Sequence, residues 1–123
     1  MVTIDEAEVM LGEISEELPP EFYEKLNGGI LLLPEAKMHP ASTANHLYIL
    51  GEYHRNWDMG RYIAIYFGSF ERLYGHLPPE QFREKLRKTL FHEFTHHIES
   101  LAGERGLEIK DEERMRKYRR RDT

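Results

Sequence analysis

The sequence predicts an α+β fold, and two observations carry that prediction. Between Pro79 and Ala102 apolar residues recur at intervals of three and four, which is the spacing of one buried helix face: Phe82, Leu86, Leu90, Phe94, Ile98 and Leu101. Three short apolar runs, at residues 30–33, 47–53 and 61–67, have the length and composition of strands. With 123 residues and 40% hydrophobic content, the chain (1–123) is expected to form one domain around one core.

The amino-terminal quarter of the chain predicts a helix followed by a strand. Thr3 and Glu6 have the spacing of a capping box, and apolar residues then repeat at helical intervals until Pro19 ends the pattern. A short helical turn is expected over residues 21–26. Residues 30–33 are all Ile or Leu, and such an unbroken run is typical of a buried strand.

The middle of the chain predicts a β-hairpin. Residues 38–45 include His39, Pro40 and several small polar residues, and they are expected to form a loop before the strand at 47–53. Because only a short turn around residues 56–60 separates this strand from the next, at 61–67, the two should pair antiparallel. The sequence therefore predicts a small, mostly antiparallel three-stranded sheet.

The last third of the chain predicts two helices. Pro79 suits the first turn of the long helix, which is expected to end near Gly103, where glycines allow the chain to reverse. Residues 111–121 then resemble a C-terminal helix. The expected architecture is a three-stranded sheet packed with a long helix, an N-terminal helix and a C-terminal helix.

Composition and charge narrow the functional classes. The chain has 22 acidic and 17 basic side chains, so the net charge does not favour a nucleic-acid partner or an anionic membrane. Cysteine is absent, which excludes disulfides and thiolate metal ligands. The sequence contains neither the pattern of a signal peptide nor an apolar stretch that could span a membrane, so a cytoplasmic protein without a membrane partner is expected.

The long helix contains the pattern H-E-x-x-H at His92, Glu93 and His96. Residues four apart on a helix lie one above the other, so the two imidazoles can bind one tetrahedral metal ion. Glu93 lies about 100° from His92 around the helix, where its carboxylate is aimed at a water on the metal rather than at the metal itself. The pattern predicts one zinc ion at His92 and His96, with Glu93 as the catalytic general base.

The same residues resemble a known family, the minimal zincin-like bacterial metallopeptidases, over roughly residues 45–115. In that family H-E-x-x-H-H-x-G-x-x-D follows two short strands of the L-x-L-Y-R-G and I-x-L-Y-x-G kind. Similar strands are found at residues 47–51 and 63–68, and the doubled histidine matches at His96 and His97. The resemblance implies a zincin-like fold, a zinc ion and hydrolysis of peptide bonds by a metal-bound water that Glu93 activates.

The third metal ligand departs from the family pattern. The family's glycine position is occupied by Glu99 and its aspartate position by Ala102. One repair places the acidic ligand after a turn, at Asp111. The other uses Glu99, which lies two turns after His92 on nearly the same side of the helix. Asp111 is the preferred third ligand and Glu99 the alternative, because a zincin's third ligand generally comes from a separate segment.

The remaining histidines are expected to have other roles. His97 lies at the edge of the apolar stripe, where a histidine is typically packed and bonded to a carbonyl. Four further histidines are interpreted as surface residues: His39, His46, His54 and His76. Four side chains of the predicted hairpin are candidates for stabilising an oxyanion, and the sequence does not choose among them: Tyr62, Tyr66, His54 and Arg55.

The sequence thus predicts a zinc metallopeptidase that acts on a peptide or protein whose identity the residues do not reveal. The alternative is a non-catalytic zinc-binding module with the same fold, in which the ion ties the last segment to the long helix. Small size and the altered third-ligand pattern favour this alternative. Four protein ligands would close such a structural site.

Overall fold

The computed structural model describes residues 1–41 and 47–108, with side chains described as far as residue 103. In chain order the elements are α1 (Ile4–Ser15), a 3₁₀ turn (Pro20–Tyr23), β1 (Gly29–Leu33), β2 (Lys37–Met38), β3 (Tyr48–Ile49), β4 (Gly51–Asn56), β5 (Gly60–Tyr66), α2 (Phe67–Tyr74) and α3 (Pro79–Glu108). The α+β prediction is confirmed. The predicted helix over residues 111–121 and the predicted ligand Asp111 lie outside the described residues.

The main sheet is mixed, so the prediction of a mostly antiparallel sheet was wrong. Its strand order is β1-β5-β4. The predicted hairpin is confirmed, because β4 and β5 pair antiparallel, but β1 runs parallel to β5, from Gly29 opposite Tyr62 to Leu33 opposite Tyr66. Parallel pairing needs a long connection, and the connection here contains β2 and β3, which form a separate two-stranded antiparallel sheet.

The second predicted strand is interrupted and extends further than expected. Leu50 separates β3 from β4, and its carbonyl accepts a hydrogen bond from the Tyr66 amide at 2.9 Å. β4 continues to Asn56, whose side-chain oxygen accepts a hydrogen bond from the Met59 amide at 2.6 Å. The tight turn is completed by Gly60, whose φ of +71° disfavours any residue with a side chain.

Helix α3 contains 30 residues and runs through Gly103, so the predicted helix end at that glycine was wrong. A helix that ends at a glycine usually places it at positive φ, and positive φ occurs at Gly29 and Gly60 but not at Gly103. A glycine inside a helix costs only about 1 kcal/mol relative to alanine. Helix-forming neighbours on both sides can outweigh that cost.

The apolar stripe of α3 fills the core as predicted. Four of its six residues are at most 1% exposed, namely Phe82, Leu86, Leu90 and Phe94, and the two nearest the C-terminal end are half-buried. The four buried residues share one cluster with Ile63 and Ile65 of β5 and with the buried face of α1. This packing fixes the side of α3 that faces the core and leaves the opposite side for polar residues.

Helix α1 begins with the predicted capping box. The Thr3 hydroxyl accepts a hydrogen bond from the Glu6 amide at 3.2 Å, and the Glu6 carboxylate accepts one from the Thr3 amide at 2.8 Å. Two ion pairs join α1 and the segment after it to α3, between Arg83 and Glu13 and between Arg87 and Glu17. None of the helices within residues 1–41 and 47–108 has the length and apolar composition needed to cross a membrane.

Truncation of the stripe should destabilise the whole domain. Leu90 is fully buried, and replacing a buried leucine by alanine costs about 2–5 kcal/mol through lost burial and the cavity left behind. Urea denaturation followed by circular dichroism should show this loss for Leu90→Ala. Lys88→Ala, at an exposed position of the same helix, is the control. Its free energy of unfolding should differ from that of wild type by no more than about 0.5 kcal/mol. Equal midpoints for the two variants would contradict the packing described here.

Candidate metal site

The two histidines of the H-E-x-x-H pattern converge at the exposed side of α3. The Nε2 atoms of His92 and His96 lie 3.1 Å apart, and the ring planes are inclined by 85°. Two nitrogen ligands of one tetrahedral zinc ion, each about 2.0–2.1 Å from the metal, are about 3.3 Å apart. The observed separation matches that value closely, so the pair fits a single zinc ion.

The pair opens into a cleft between α3 and β4. One wall is formed by His92, Glu93 and His96, and the other by residues 51–55 of β4, with His39 also in contact with the space. The cleft is open to solvent and has a volume of about 1020 Å³. β4 is an edge strand of the main sheet, so the cleft lies between the candidate metal ligands and the end of the sheet.

Glu93 is buried although both neighbouring histidines of the pattern are exposed. Its side chain is only 6% exposed, where a carboxylate loses most of its hydration. Burial raises the pKa of Glu93, and the Glu52 carboxylate adds to the rise, while His96 and His92 oppose it. A raised pKa increases the affinity of the carboxylate for a proton at neutral pH, which suits a general base.

The raised pKa of Glu93 predicts a pH-dependent stability in the metal-free protein. A carboxyl whose pKa is higher in the folded than in the unfolded chain contributes stability below its unfolded pKa of about 4.3, and this is lost as the pH rises through the folded value. Glu93→Gln should therefore gain stability relative to wild type between acidic and neutral pH. Thermal melting of both chelator-treated proteins across that range would measure the gain, and parallel curves would contradict it.

Glu99 lies beside His96 on the side of the ring that faces away from His92. Its carboxylate oxygen lies 3.7 Å from Nδ1 of His96, whereas the other ring nitrogen of His96 faces His92. A carboxylate at that position can fix the orientation of a metal-binding imidazole. Within residues 1–41 and 47–103, no group of three His, Asp or Glu side chains lies close enough to hold a metal ion. The third ligand stays a prediction, with Asp111 outside the described residues.

His97 is the buried residue that the sequence predicts. Its side chain is fully buried, Nε2 lies 2.9 Å from the Glu24 carbonyl, and Nδ1 lies 2.8 Å from the Tyr53 hydroxyl. The predicted bond to a carbonyl is confirmed. Burial lowers the pKa of His97, which favours the neutral imidazole that these two hydrogen bonds require.

Sequence reasoning missed a polar cluster centred on Glu52 in the opposite wall. One carboxylate oxygen of Glu52 accepts hydrogen bonds from Lys37 Nζ at 2.7 Å, from the Tyr66 hydroxyl at 2.6 Å and from His54 Nε2 at 3.0 Å. Burial opposes ionisation of Glu52, but these bonds outweigh it and lower its pKa. The i, i+2 spacing of Glu52 and His54 on a strand was the available signal, since it places both on one face.

The geometry narrows the oxyanion candidates. Tyr66 is buried and its hydroxyl donates to Glu52, and Tyr62 stacks on the His54 ring at 4.8 Å. His54 and Arg55 line the cleft. His39 and His76 are exposed, as expected of surface residues, whereas His54 is half-buried; His39 and His54 also line the cleft. His46 lies outside the described residues.

A solved structure is similar to this chain in both fold and sequence. No protein-family model matches the chain, and no curated protein does so either. The solved structure of a conserved hypothetical protein from Thermus thermophilus superimposes with a TM-score of 0.73 at 32% sequence identity. The similarity covers 83% of this chain and 99% of that protein. The chain therefore belongs to the same family as this conserved hypothetical protein.

Proposed function

We propose that the protein is a zinc-dependent metallopeptidase with a zincin-like fold, in which His92 and His96 hold one zinc ion and Glu93 is the general base. The observation that carries the proposal is the 3.1 Å separation of the two Nε2 atoms beside a buried carboxylate, all in one open cleft. Imidazole and carboxylate ligands suit zinc among the common divalent ions. The Thermus relative is described only as hypothetical, so the proposal rests on the site.

The cleft contains candidates for two metal ligands and for the general base that zinc-dependent peptide hydrolysis needs. A zinc ion bound here would polarise a substrate carbonyl and lower the pKa of a water molecule. Glu93 accepts the proton of the attacking water and returns it to the departing amine. Its burial favours this exchange, since burial raises the pKa of Glu93 and so increases its affinity for the proton. The Glu99 carboxylate, 3.7 Å from Nδ1 of His96, helps to orient that ring.

The substrate would be a peptide or protein segment in extended conformation. Edge strands bind such segments by adding them as a further strand, so that backbone hydrogen bonds position the chain. β4 is the edge strand beside the candidate metal ligands, and it contributes residues 51–55 to the cleft. His54, held by Glu52, and Arg55 are the side chains of β4 best suited to stabilise a developing oxyanion.

Metal analysis and a peptide-cleavage assay test the proposal together. The purified protein should contain, or take up, about one zinc ion per chain, the number of sites that one His pair provides. Zinc-loaded protein should then cleave members of a mixed peptide library at neutral pH, with His92→Ala as the blank. Equal cleavage by wild type and blank would show that the activity arises elsewhere.

The third ligand can be identified by zinc affinity in two single variants. Asp111→Ala is expected to lower the zinc affinity more than Glu99→Ala does. Loss of a group that only orients a metal ligand typically lowers the affinity by about 10- to 100-fold. Competition with a chromophoric chelator measures both, and Asp58→Ala, in the exposed β4–β5 turn, is the carboxylate control. Loss in the Glu99 variant alone would reverse the order of the candidates. Loss in neither would place the ligand elsewhere.

A non-catalytic zinc-binding module is the second candidate. It is favoured by the departure from the family's third-ligand pattern, in which Glu99 and Ala102 occupy the glycine and aspartate positions. Structural zinc sites are closed by four protein ligands, and Glu99 and Asp111 together would complete such a set. Four protein ligands in a crystal structure of the zinc-loaded protein would support the module, whereas three ligands and an open position would support the peptidase.

A further inference from the structure

We propose that His97 is a positioning residue: within the orientation that the apolar stripe gives α3, its hydrogen bond to Tyr53 limits the remaining rotation of the helix relative to β4, and so fixes the place of His92 and His96 in the cleft. This inference rests on the proposed metal site, whose ligands it concerns. It assigns a role to a buried histidine that neither binds the metal nor lines the cleft. Three features of the molecule support this role: the direction of the hydrogen bonds, their location on α3 and the strand they reach.

In the neutral form of His97, its two hydrogen bonds have one consistent direction. The Glu24 carbonyl can only accept, so Nε2 of His97 must carry the proton of that 2.9 Å bond. In a neutral imidazole the other nitrogen is then an acceptor, and the Tyr53 hydroxyl donates to it at 2.8 Å. The Tyr53 oxygen in turn accepts a hydrogen bond from Arg61 at 3.3 Å. Each hydrogen bond in this chain therefore joins one donor to one acceptor.

These bonds act at the turn of α3 that carries the metal-site histidines. His97 follows His96 by one residue, about 100° further around the helix, so one ring enters the cleft while the next is buried behind it. Ser100, one turn later, accepts a hydrogen bond from Arg61 at 2.9 Å. Helix α3 is thereby held to the sheet at two points, one directly behind the candidate ligands.

Rotation of α3 would change the width of the cleft and leave the ligand pair intact. Both imidazoles lie on one helix, so their separation does not depend on how that helix is turned. A side-chain tip about 6 Å from the helix axis, however, moves by about 1 Å for a rotation of 10°. Functional sites tolerate displacements of only about 0.5 Å. The Tyr53–His97 bond joins the helix to the strand across the cleft, and it therefore limits this displacement.

The experiment removes the Tyr53–His97 bond from each side in turn. Tyr53→Phe deletes the hydroxyl, and His97→Gln keeps a donor for the Glu24 carbonyl but has no acceptor at the position of Nδ1. Co²⁺ is used as the probe metal, because its pseudocontact shifts report where backbone amides lie relative to the ion. Tyr74→Phe is the matched control, since that ring contacts Phe70 and Lys85, away from the cleft.

We expect both variants to bind Co²⁺ about as tightly as wild type and to show the same altered pattern of pseudocontact shifts along β4. The control should reproduce the wild-type pattern. A purely structural role would lower the melting temperature without moving β4 relative to the ion, so unchanged β4 shifts in both variants would overturn the inference alone. A wild-type protein that binds no Co²⁺ would contradict the proposed metal site and the inference with it.

Discussion

Glu93→Gln is expected to lower peptidase activity by a factor of about 10² to 10⁴, the usual contribution of general acid–base catalysis. Glutamine has nearly the shape of glutamate, but its amide cannot accept the proton of the attacking water. The residue is 6% exposed and lies between two candidate ligands, so an isosteric change should leave the packing of α3 and the zinc site intact. The measurement is the cleavage rate of zinc-loaded protein at equal metal content.

A second Glu→Gln change on the same helix controls for effects unrelated to catalysis. Glu84 is exposed, lies outside the cleft and pairs with Arg87. Glu84→Gln should retain the wild-type cleavage rate and zinc content. If Glu93→Gln cleaves as fast as this control, Glu93 is not the base. If the zinc-loaded wild type cleaves nothing in a broad peptide library, the non-catalytic module becomes the better explanation of the site.

The helical part of the fold was predictable because its signals are local. The capping box at Thr3 and Glu6 and the apolar stripe of α3 each depend on residues within a few positions of one another, and both are found as expected. The end of α3 was not predictable from Gly103, since a glycine only permits a helix to stop. The residues that follow decide whether it does.

The sheet was predictable only in part, because periodicity indicates which residues are buried and says little about which strands pair. The β4–β5 hairpin followed from its short turn. The parallel pairing of β1 with β5 joins segments separated by about thirty residues, and no local signal specifies it. The expectation of a mostly antiparallel sheet was wrong because of this one pairing.

The candidate site was likewise predictable where its residues are close in sequence and not where they come from distant segments. Helical spacing predicted one wall of the cleft, with His92, Glu93 and His96 on one turn. The opposite wall depends on tertiary structure, since Lys37 and Glu52 come from different strands and meet only after β2 and β4 have formed. The preferred third ligand, Asp111, comes after α3 in the sequence, and helical periodicity cannot place it.

His92→Ala should lower zinc affinity by more than the roughly 10- to 100-fold that loss of a supporting group costs, because it removes a ligand itself. In the variant, the second imidazole nitrogen, which now lies 3.1 Å from Nε2 of His96, is missing. His96 alone would then have to hold the ion on this helix. Atomic-emission analysis after dialysis should find about one zinc ion per wild-type chain, given one His pair, and far less in the variant. His76→Ala, at an exposed site outside the cleft, should keep its zinc.

The same change should also remove the stabilisation that zinc gives the folded protein. A ligand that binds only the native state adds about 2.7 kcal/mol at a free concentration 100 times its dissociation constant. Added zinc should therefore raise the melting temperature of wild type and of His76→Ala but not that of His92→Ala. Full zinc occupancy in the His92→Ala, His96→Ala double variant would disprove the site. Because both rings are exposed, their loss disturbs no core packing, and the zinc-dependent part of the melting shift measures the contribution of the metal.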